Sequence, residues 1–122
     1  MTVPHCTLEY SANLTDFAAG RMLAALNAEL LASGLFAEAD IKSRAIRLEQ
    51  FAVGVVPASR AFVHLTLSVL SGRSADERAA LARQALAVLE AGSIAPAGTE
   101  LQLSVDVAEM ERATYAKAVR HA

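Results

Sequence analysis

The stretch Ala61-Phe62-Val63-His64-Leu65-Thr66-Leu67-Ser68-Val69-Leu70 alternates between apolar and more polar side chains. Successive side chains of a strand point to opposite faces, so this pattern predicts a β-strand with one buried face. The buried face would contain Ala61, Val63, Leu65, Leu67 and Val69. The second face would contain Phe62, His64, Thr66 and Ser68. That face is too apolar for open water and too polar for a dry core, so we expect another copy of the chain to cover it.

A helix and a further strand are predicted after this stretch. Ser74 and Glu77 stand three residues apart, which is the spacing of a capping box at a helix start. The buried stripe of the helix would contain Leu81, Ala85, Val88 and Leu89. Gly92 would end the helix, and alternating apolar positions from Leu101 to Val107 predict a strand. The second half of the chain therefore reads as a β-α-β unit.

The first half repeats this order. Residues 3–10 predict a strand, and Thr15 or Asp16 is expected to cap a helix that extends from Phe17 to about Ser33. Its apolar side would contain Phe17, Leu23, Leu26, Leu30 and Leu31. Gly34 is expected to take the left-handed conformation that ends many helices. A strand that begins near Ile41 completes the unit.

The predicted fold class is α/β (α+β), with two consecutive β-α-β units in one domain that comprises residues 1–122. Crossovers of this kind pair strands in parallel with a right-handed sense. Two such units side by side give a four-stranded mixed sheet with both helices on one face.

Composition narrows the function classes. Apolar residues make up 54% of the chain and charged residues 20%, which is unlike a disordered protein. The net charge is -2 without a basic stripe, which argues against a nucleic-acid partner. The apolar runs are too short to span a bilayer, so we expect a cytoplasmic protein with no membrane partner. A single cysteine and three scattered histidines supply no ligand set for a structural zinc site.

Three cations lie where strands or loops end, namely Lys42, Arg44 and Arg73. Arg73 precedes a predicted helix start, whose free backbone amides favour an anion. A guanidinium group binds a carboxylate through two parallel hydrogen bonds, which favours a small-molecule carboxylate ligand. The alternative interpretation is a set of solvated surface charges.

His64 and Cys6 are weaker candidates. Because histidine side chains ordinarily titrate near neutrality, His64 could act as a general base, but its place in mid-strand favours a hydrogen-bonded interior or interface histidine. Cys6 could be a nucleophile, yet no histidine is placed by the sequence to activate it. We interpret Cys6 as a small packed side chain.

Pro4 also has two interpretations. A proline near the start of a strand has a structural explanation, because the first residue need not donate to the sheet. As a free amino terminus, its buried secondary amine near positive charge would have a lowered pKa and could act as a base. Met1, Thr2 and Val3 precede Pro4 in the sequence and place its nitrogen in an amide.

Several short stretches, taken together in their order, resemble a known family. They are Pro4-His5, Glu9-Tyr10-Ser11-Ala12-Asn13-Leu14, Ile41-Lys42-Ser43-Arg44, Ala61-Phe62-Val63-His64-Leu65-Thr66-Leu67 and Gly72-Arg73-Ser74. From Pro4 to about Val107 the chain resembles the 5-carboxymethyl-2-hydroxymuconate Δ-isomerases of the tautomerase superfamily. The resemblance implies a homotrimer without a cofactor. It also implies an isomerase of homoprotocatechuate degradation, which shifts a double bond (enol–keto) in an unsaturated di- or tricarboxylic acid.

The same resemblance assigns roles to four residues. Pro4 would transfer the proton, and Arg73 would hold a substrate carboxylate or polarise the keto oxygen. Arg44 would bind another carboxylate, in one version of the scheme across a subunit boundary. Lys42 stands where this pattern often has arginine, and lysine keeps the charge without the two-pronged geometry.

The residues before Pro4 separate two hypotheses. If translation starts at the Val3 codon, read as GTG, removal of the initiator methionine would free the proline. If the extension persists, the chain would be a non-catalytic oligomeric relative that binds small acids.

Overall fold

The computed structural model describes residues 3–121 of the chain. Within them the elements follow in the order β1 (His5–Ser11), α1 (Ala19–Ala32), β2 (Lys42–Leu48), β3 (Arg60–Leu70), α2 (Ala75–Gly92) and β4 (Glu100–Met110). Short turns of 3-10 helix occur at Glu38–Asp40 and Arg112–Thr114. The two predicted β-α-β units are therefore present. The expectation about Met1 and Thr2 lies outside the described residues.

The four strands form one mixed sheet in the order β2-β1-β3-β4. The pairs β1–β2 and β3–β4 are parallel, and the central pair β1–β3 is antiparallel. In this register His5 lies opposite Lys42 on one side and Ser68 on the other. Strands β1 and β2 therefore begin at the sheet end where β3 and β4 finish. We call this end of the sheet the Pro4 end, because Pro4 immediately precedes β1.

One face of the sheet forms the core with both helices. The alternate residues of β3 predicted to be buried, Ala61, Val63, Leu65, Leu67 and Val69, are all fully buried. They pack in one cluster with Met22, Leu26 and Leu30 of α1 and Leu81, Ala85 and Leu89 of α2. Burial of this apolar surface supplies most of the driving force for the arrangement. The prediction that both helices cover the same face is confirmed.

The other face of the sheet, here called the open face, lies opposite the two helices and mixes apolar and polar side chains. Phe62, His64, Thr66 and Ser68 alternate with the core residues of β3 and are partly buried. Nδ1 of His64 lies 2.7 Å from Oγ of Ser104 on β4. His64 therefore has a hydrogen-bond partner on the neighbouring strand.

The start of α1 differs from the prediction. Ala18 occupies the N-cap position and makes no side-chain cap, so neither Thr15 nor Asp16 caps the helix. The backbone instead makes a turn first, in which the amide of Phe17 donates to the oxygen of Leu14 at 3.2 Å. This turn delays the first helical residue to Ala19.

The buried side of α1 is also slightly rotated from the prediction. Met22, Leu26 and Leu30 are buried at four-residue spacing, whereas Leu31 is 45% exposed. Methionine was absent from the predicted stripe, although its flexible side chain fills core space well. Gly34 has a φ of 75°, as the predicted left-handed turn requires.

The start of α2 confirms the capping box. Oγ of Ser74 accepts from the amide of Glu77 at 3.1 Å, and the amide of Ser74 donates to Oε1 of Glu77 at 3.0 Å. Gly92 is the last helical residue. No helix within residues 3–121 combines the length and the apolar character needed to cross a membrane.

Part of the family-like stretch after β1 has a structural role. Oγ of Ser11, fully buried, accepts from the amide of Phe62 at 3.0 Å. Nδ2 of Asn13 donates to the backbone oxygen of Arg60 at 2.8 Å. These bonds fix the end of β1 to the beginning of β3, far from the Pro4 end.

Candidate active site at the Pro4 end of the sheet

Pro4 immediately precedes β1 and is fully buried. Its backbone oxygen accepts from the amide of Lys42 at 3.2 Å, which joins it to the start of β2. Val3 is 0% exposed and forms the peptide bond to the proline nitrogen. In the chain with this extension that nitrogen is an amide without basicity.

Arg73 approaches the same end of the sheet from the turn between β3 and α2. Its side chain is 10% exposed, and its guanidinium carbon lies 5.1 Å from the centre of the Phe36 ring. The other contacts are long: Nη2 donates to the oxygen of Leu35 at 3.5 Å, and Nη1 lies 3.8 Å from Oε2 of Glu77. Nε is buried without a hydrogen-bond partner among the described residues. A guanidinium donor without a partner can bind an anion.

Lys42 and Arg44 lie on β2, where the register places them beside His5 and Thr7 of β1. Nη2 of Arg44 lies 3.1 Å from Nδ1 of His5. The ammonium group of Lys42 donates to the backbone oxygen of Asp40. Two of the predicted cations are therefore close to the first residue after Pro4.

The tertiary structure separates the predicted site residues into two groups, Pro4 with Arg73 and Lys42 with Arg44. Side chains alternate along β1, so Pro4 lies on the core side with Cys6, and His5 lies on the open face. Lys42 and Arg44 share the open face with His5, whereas Arg73 lies against the helix ends. Both groups flank the Pro4 end.

The sequence analysis missed two residues that reach this end from the carboxyl terminus. The hydroxyl of Tyr115 lies 3.0 Å from Nε2 of His5, and Nζ of Lys117 lies 2.8 Å from Oδ1 of Asp40. No periodicity in the last dozen residues of the sequence pointed to either residue. Their contacts join positions 110 and 77 residues apart, which a local pattern does not encode.

The charges around His5 define its protonation state. Partial burial lowers the pKa of His5 below 6.5. The positive charges of Lys42, Arg44 and Lys117 lower that pKa further. Because a guanidinium group can only donate, Nδ1 of His5 accepts from Arg44 and Nε2 carries the proton, which it can donate to the Tyr115 oxygen. The neutral imidazole fits both contacts.

Cys6 does not fit a nucleophile. Burial raises the pKa of its thiol to about 11, so the reactive thiolate is scarce at neutral pH. The structure thus agrees with the interpretation of Cys6 as a packed side chain. Within residues 3–121 no group of three or more His, Cys, Asp or Glu side chains could hold a metal ion.

A wide groove between α1 and α2 lies apart from this site. Its walls include Ala25, Ala28, Ala87 and Ala91. None of Pro4, Lys42, Arg44 and Arg73 lines it. The groove is therefore a separate feature of the helical layer.

Similar solved structures identify the class of protein. A 5-carboxymethyl-2-hydroxymuconate isomerase from Deinococcus radiodurans R1 is 34% identical, with a TM-score of 0.82, and the match covers 96% of this chain and 90% of that one. A 5-carboxymethyl-2-hydroxymuconate delta-isomerase is 21% identical, with a TM-score of 0.69 and coverages of 98% and 89%. A fused wild-type 4-OT symmetric trimer is 16% identical, with a TM-score of 0.68 and coverages of 93% and 91%. The fold is that of the tautomerase superfamily.

The family model places the chain more narrowly. The model described as 5-carboxymethyl-2-hydroxymuconate isomerase matches residues 4–121. No curated protein sequence matches the chain. The chain belongs to the 5-carboxymethyl-2-hydroxymuconate isomerase family, and it is an isomerase of the tautomerase type.

Proposed function

We propose that this chain isomerises 5-carboxymethyl-2-hydroxymuconate, or a related unsaturated di- or tricarboxylic acid, in homoprotocatechuate degradation. The reaction uses no cofactor, and a homotrimer performs it in the cytoplasm. The observation that carries the proposal is the mostly buried side chain of Arg73, whose Nε has no partner among the described residues, at the sheet end where Pro4 precedes β1.

The reaction is a proton transfer within one molecule. A base removes the proton of the 2-hydroxyl group, and the electron pair of the broken O–H bond forms the carbon–oxygen double bond. The two carbon–carbon double bonds become one, between carbons 3 and 4, and carbon 5 receives the proton. Atoms and electrons balance without an oxidant or reductant. The protein has to supply a base that can return the proton and a positive group for the developing oxyanion.

The base in this proposal is the freed amine of Pro4. The match to the family model begins at residue 4, which supports Pro4 as the first residue of the working protein. Start of translation at the Val3 codon would yield that terminus once the initiator methionine is removed. Because the Val3 side chain is fully buried, its removal would also open space beside the amine. Burial and nearby positive charge would then favour the neutral, basic form of the amine.

The three cations, Arg73, Arg44 and Lys42, bind different negative groups of the substrate. Arg73 is mostly buried, so its charge is poorly screened and can stabilise an oxyanion or hold a carboxylate strongly. Arg44 and Lys42, on the other side of β1, bind the remaining carboxylate groups. A substrate with two or three carboxylates would thus span both groups of residues.

The open face of the sheet supports the homotrimer. Phe62 and Thr66 are partly buried in a single chain, and a neighbouring subunit would cover the apolar part of this face. The fused 4-OT structure, which has the same fold, is a symmetric trimer.

The decisive test compares turnover by three proteins with 5-carboxymethyl-2-hydroxymuconate, followed by the loss of dienol absorbance. A chain that begins at Pro4 should be active, and its Pro4→Ala variant should lose about 10²–10⁴-fold in kcat, the usual contribution of a positioned acid or base. The chain that retains residues 1–3 should be similarly inactive. Pro57→Ala, in an exposed loop, is the matched control and should keep full activity. If Pro4→Ala turned over as fast as the chain that begins at Pro4, the proline would not be the base.

The alternative is a non-catalytic relative that binds small acids. The observation in its favour is the Val3–Pro4 amide, with both residues fully buried in the chain described here. The intact mass of the protein from its natural source separates the two functions. A mass that starts at Pro4 supports the isomerase, whereas a mass that retains Thr2 and Val3 supports the binding protein.

A further inference from the structure

The segment that follows β4, residues 112–121, is called the tail here. It crosses the Pro4 end of the sheet from the β3 side to the β2 side. The amide of Arg112 donates to Oγ of Ser71 at 3.1 Å, and its Nη2 donates to the Ser71 oxygen at 3.2 Å. These bonds anchor the start of the tail beside the turn that leads to Arg73.

The middle of the tail meets the first residue of β1. The hydroxyl of Tyr115 contacts Nε2 of His5 at 3.0 Å, and the two rings meet edge to face with centroids 6.1 Å apart. His5 in turn accepts from Arg44. Tyr115 and Arg44 thus contact the two nitrogens of the same imidazole ring.

The next part of the tail places a second ammonium group beside Lys42. Nζ of Lys117 lies 2.8 Å from Oδ1 of Asp40, while Nζ of Lys42 donates to the backbone oxygen of the same residue. The Lys117 side chain is 23% exposed, so water screens it in part. Burial lowers the pKa of Lys42, and the charge of Lys117 lowers it further. The Asp40 carboxylate pairs with Lys117 and raises the pKa of Lys42 in turn, so it offsets part of this charge. Three cations, Lys42, Arg44 and Lys117, stand against this one carboxylate, and the excess of positive charge attracts an anion.

We propose that Lys117 is a specificity residue that binds, with Lys42 and Arg44, a second carboxylate of the substrate. The site would thereby select dicarboxylates over monocarboxylates of the same length. The inference deepens the proposed function, since it concerns the same site, but it does not require Pro4 to act as a base.

The test measures equilibrium binding by calorimetry with the full chain and two probes. The probes are trans,trans-muconate, a six-carbon diene with a carboxylate at each end, and sorbate, in which a methyl group replaces one carboxylate. The wild-type chain should bind muconate more tightly than sorbate. Lys117→Met should weaken muconate binding about tenfold, as expected for loss of a charge-assisted hydrogen bond, and leave sorbate binding unchanged. Lys117→Arg should restore muconate binding.

The matched control is Arg120→Met, which removes one positive charge from an exposed position of the same tail. It should leave the affinities for both probes unchanged. Equal weakening of muconate and sorbate by Lys117→Met would show a structural role and overturn the inference. An unchanged muconate affinity in that variant, or no preference for muconate in the wild-type chain, would overturn it as well. Loss of turnover in a chain that still discriminates the probes would count against the proposed isomerase and not against Lys117.

Discussion

The guanidinium carbon of Arg73 lies 5.1 Å from the centre of the Phe36 ring. Phe36 follows the left-handed turn at Gly34, and Arg73 precedes α2, so this contact joins the end of one helix to the start of the other. A cation–π contact acts through the positive charge of the guanidinium group and uses none of its N–H donors in a hydrogen bond. The ring can therefore orient Arg73 without occupying the groups that would bind an anion.

Replacement of Arg73 by lysine should reduce kcat/KM for 5-carboxymethyl-2-hydroxymuconate. Lysine keeps the charge but loses the planar group and its fixed donors, and loss of one oxyanion-stabilising donor costs about 10²–10³-fold. The rate would be measured with the chain that begins at Pro4. Arg83→Lys, at an exposed position of α2, should have no effect. Full activity of Arg73→Lys would show that only the positive charge of Arg73 is needed, and not its planar set of donors.

Ser74→Ala should destabilise the protein by about 1 kcal/mol, the typical loss for an N-cap serine. The variant loses the hydroxyl that accepts from the amide of Glu77. Urea unfolding followed by circular dichroism would measure the change. Ser74→Asp keeps an acceptor at the N-cap and should remain near the wild-type midpoint. Identical midpoints for the alanine and aspartate variants would contradict a role for the cap in stability.

His5 should make the protein less stable as the pH falls below 6.5. Its pKa in the folded chain is lower than in the unfolded chain, so the unfolded state binds more protons between these two values. The free energy of unfolding therefore decreases as the pH falls through that window. Urea midpoints at pH 7.5 and 5 should differ less for His5→Gln than for the wild type. An equal change in both proteins would show that the His5 ring is not the group responsible.

The thiol of Cys6 should be inert in the folded protein. Burial raises its pKa to about 11, and the side chain is 0% exposed. A chromogenic disulfide reagent at pH 8 should react slowly with the native chain and completely after unfolding in guanidinium chloride. Rapid reaction of the native chain would contradict the packed interpretation.

Local patterns predicted the elements more accurately than their ends. The ten-residue alternation of β3 and the Ser74–Glu77 pair both depend on neighbours in sequence, and both predictions are confirmed. The predicted start of α1 was wrong because a backbone turn at Leu14–Phe17 comes before the first helical residue. The exposed position of Leu31 was missed because rotation of a helix against a sheet depends on packing.

Some residues of the candidate site could likewise be predicted from the sequence, and others could not. Lys42, Arg44 and Arg73 drew attention in the sequence because charges next to strand and helix ends are visible there. The sequence contained no pattern that linked Tyr115 to His5 or Lys117 to Asp40. A residue in an aperiodic tail has no preferred face until the sheet end that it crosses has formed.

The sequence by itself determined the two β-α-β units, because hydrophobic periodicity and helix caps act between residues a few positions apart. The tertiary structure alone decided that Arg73 lies over the Phe36 ring, that His5 lies between Arg44 and Tyr115, and that Lys117 lies beside Lys42. These relationships depend on strand order and register, which arise when the whole sheet packs against its helices.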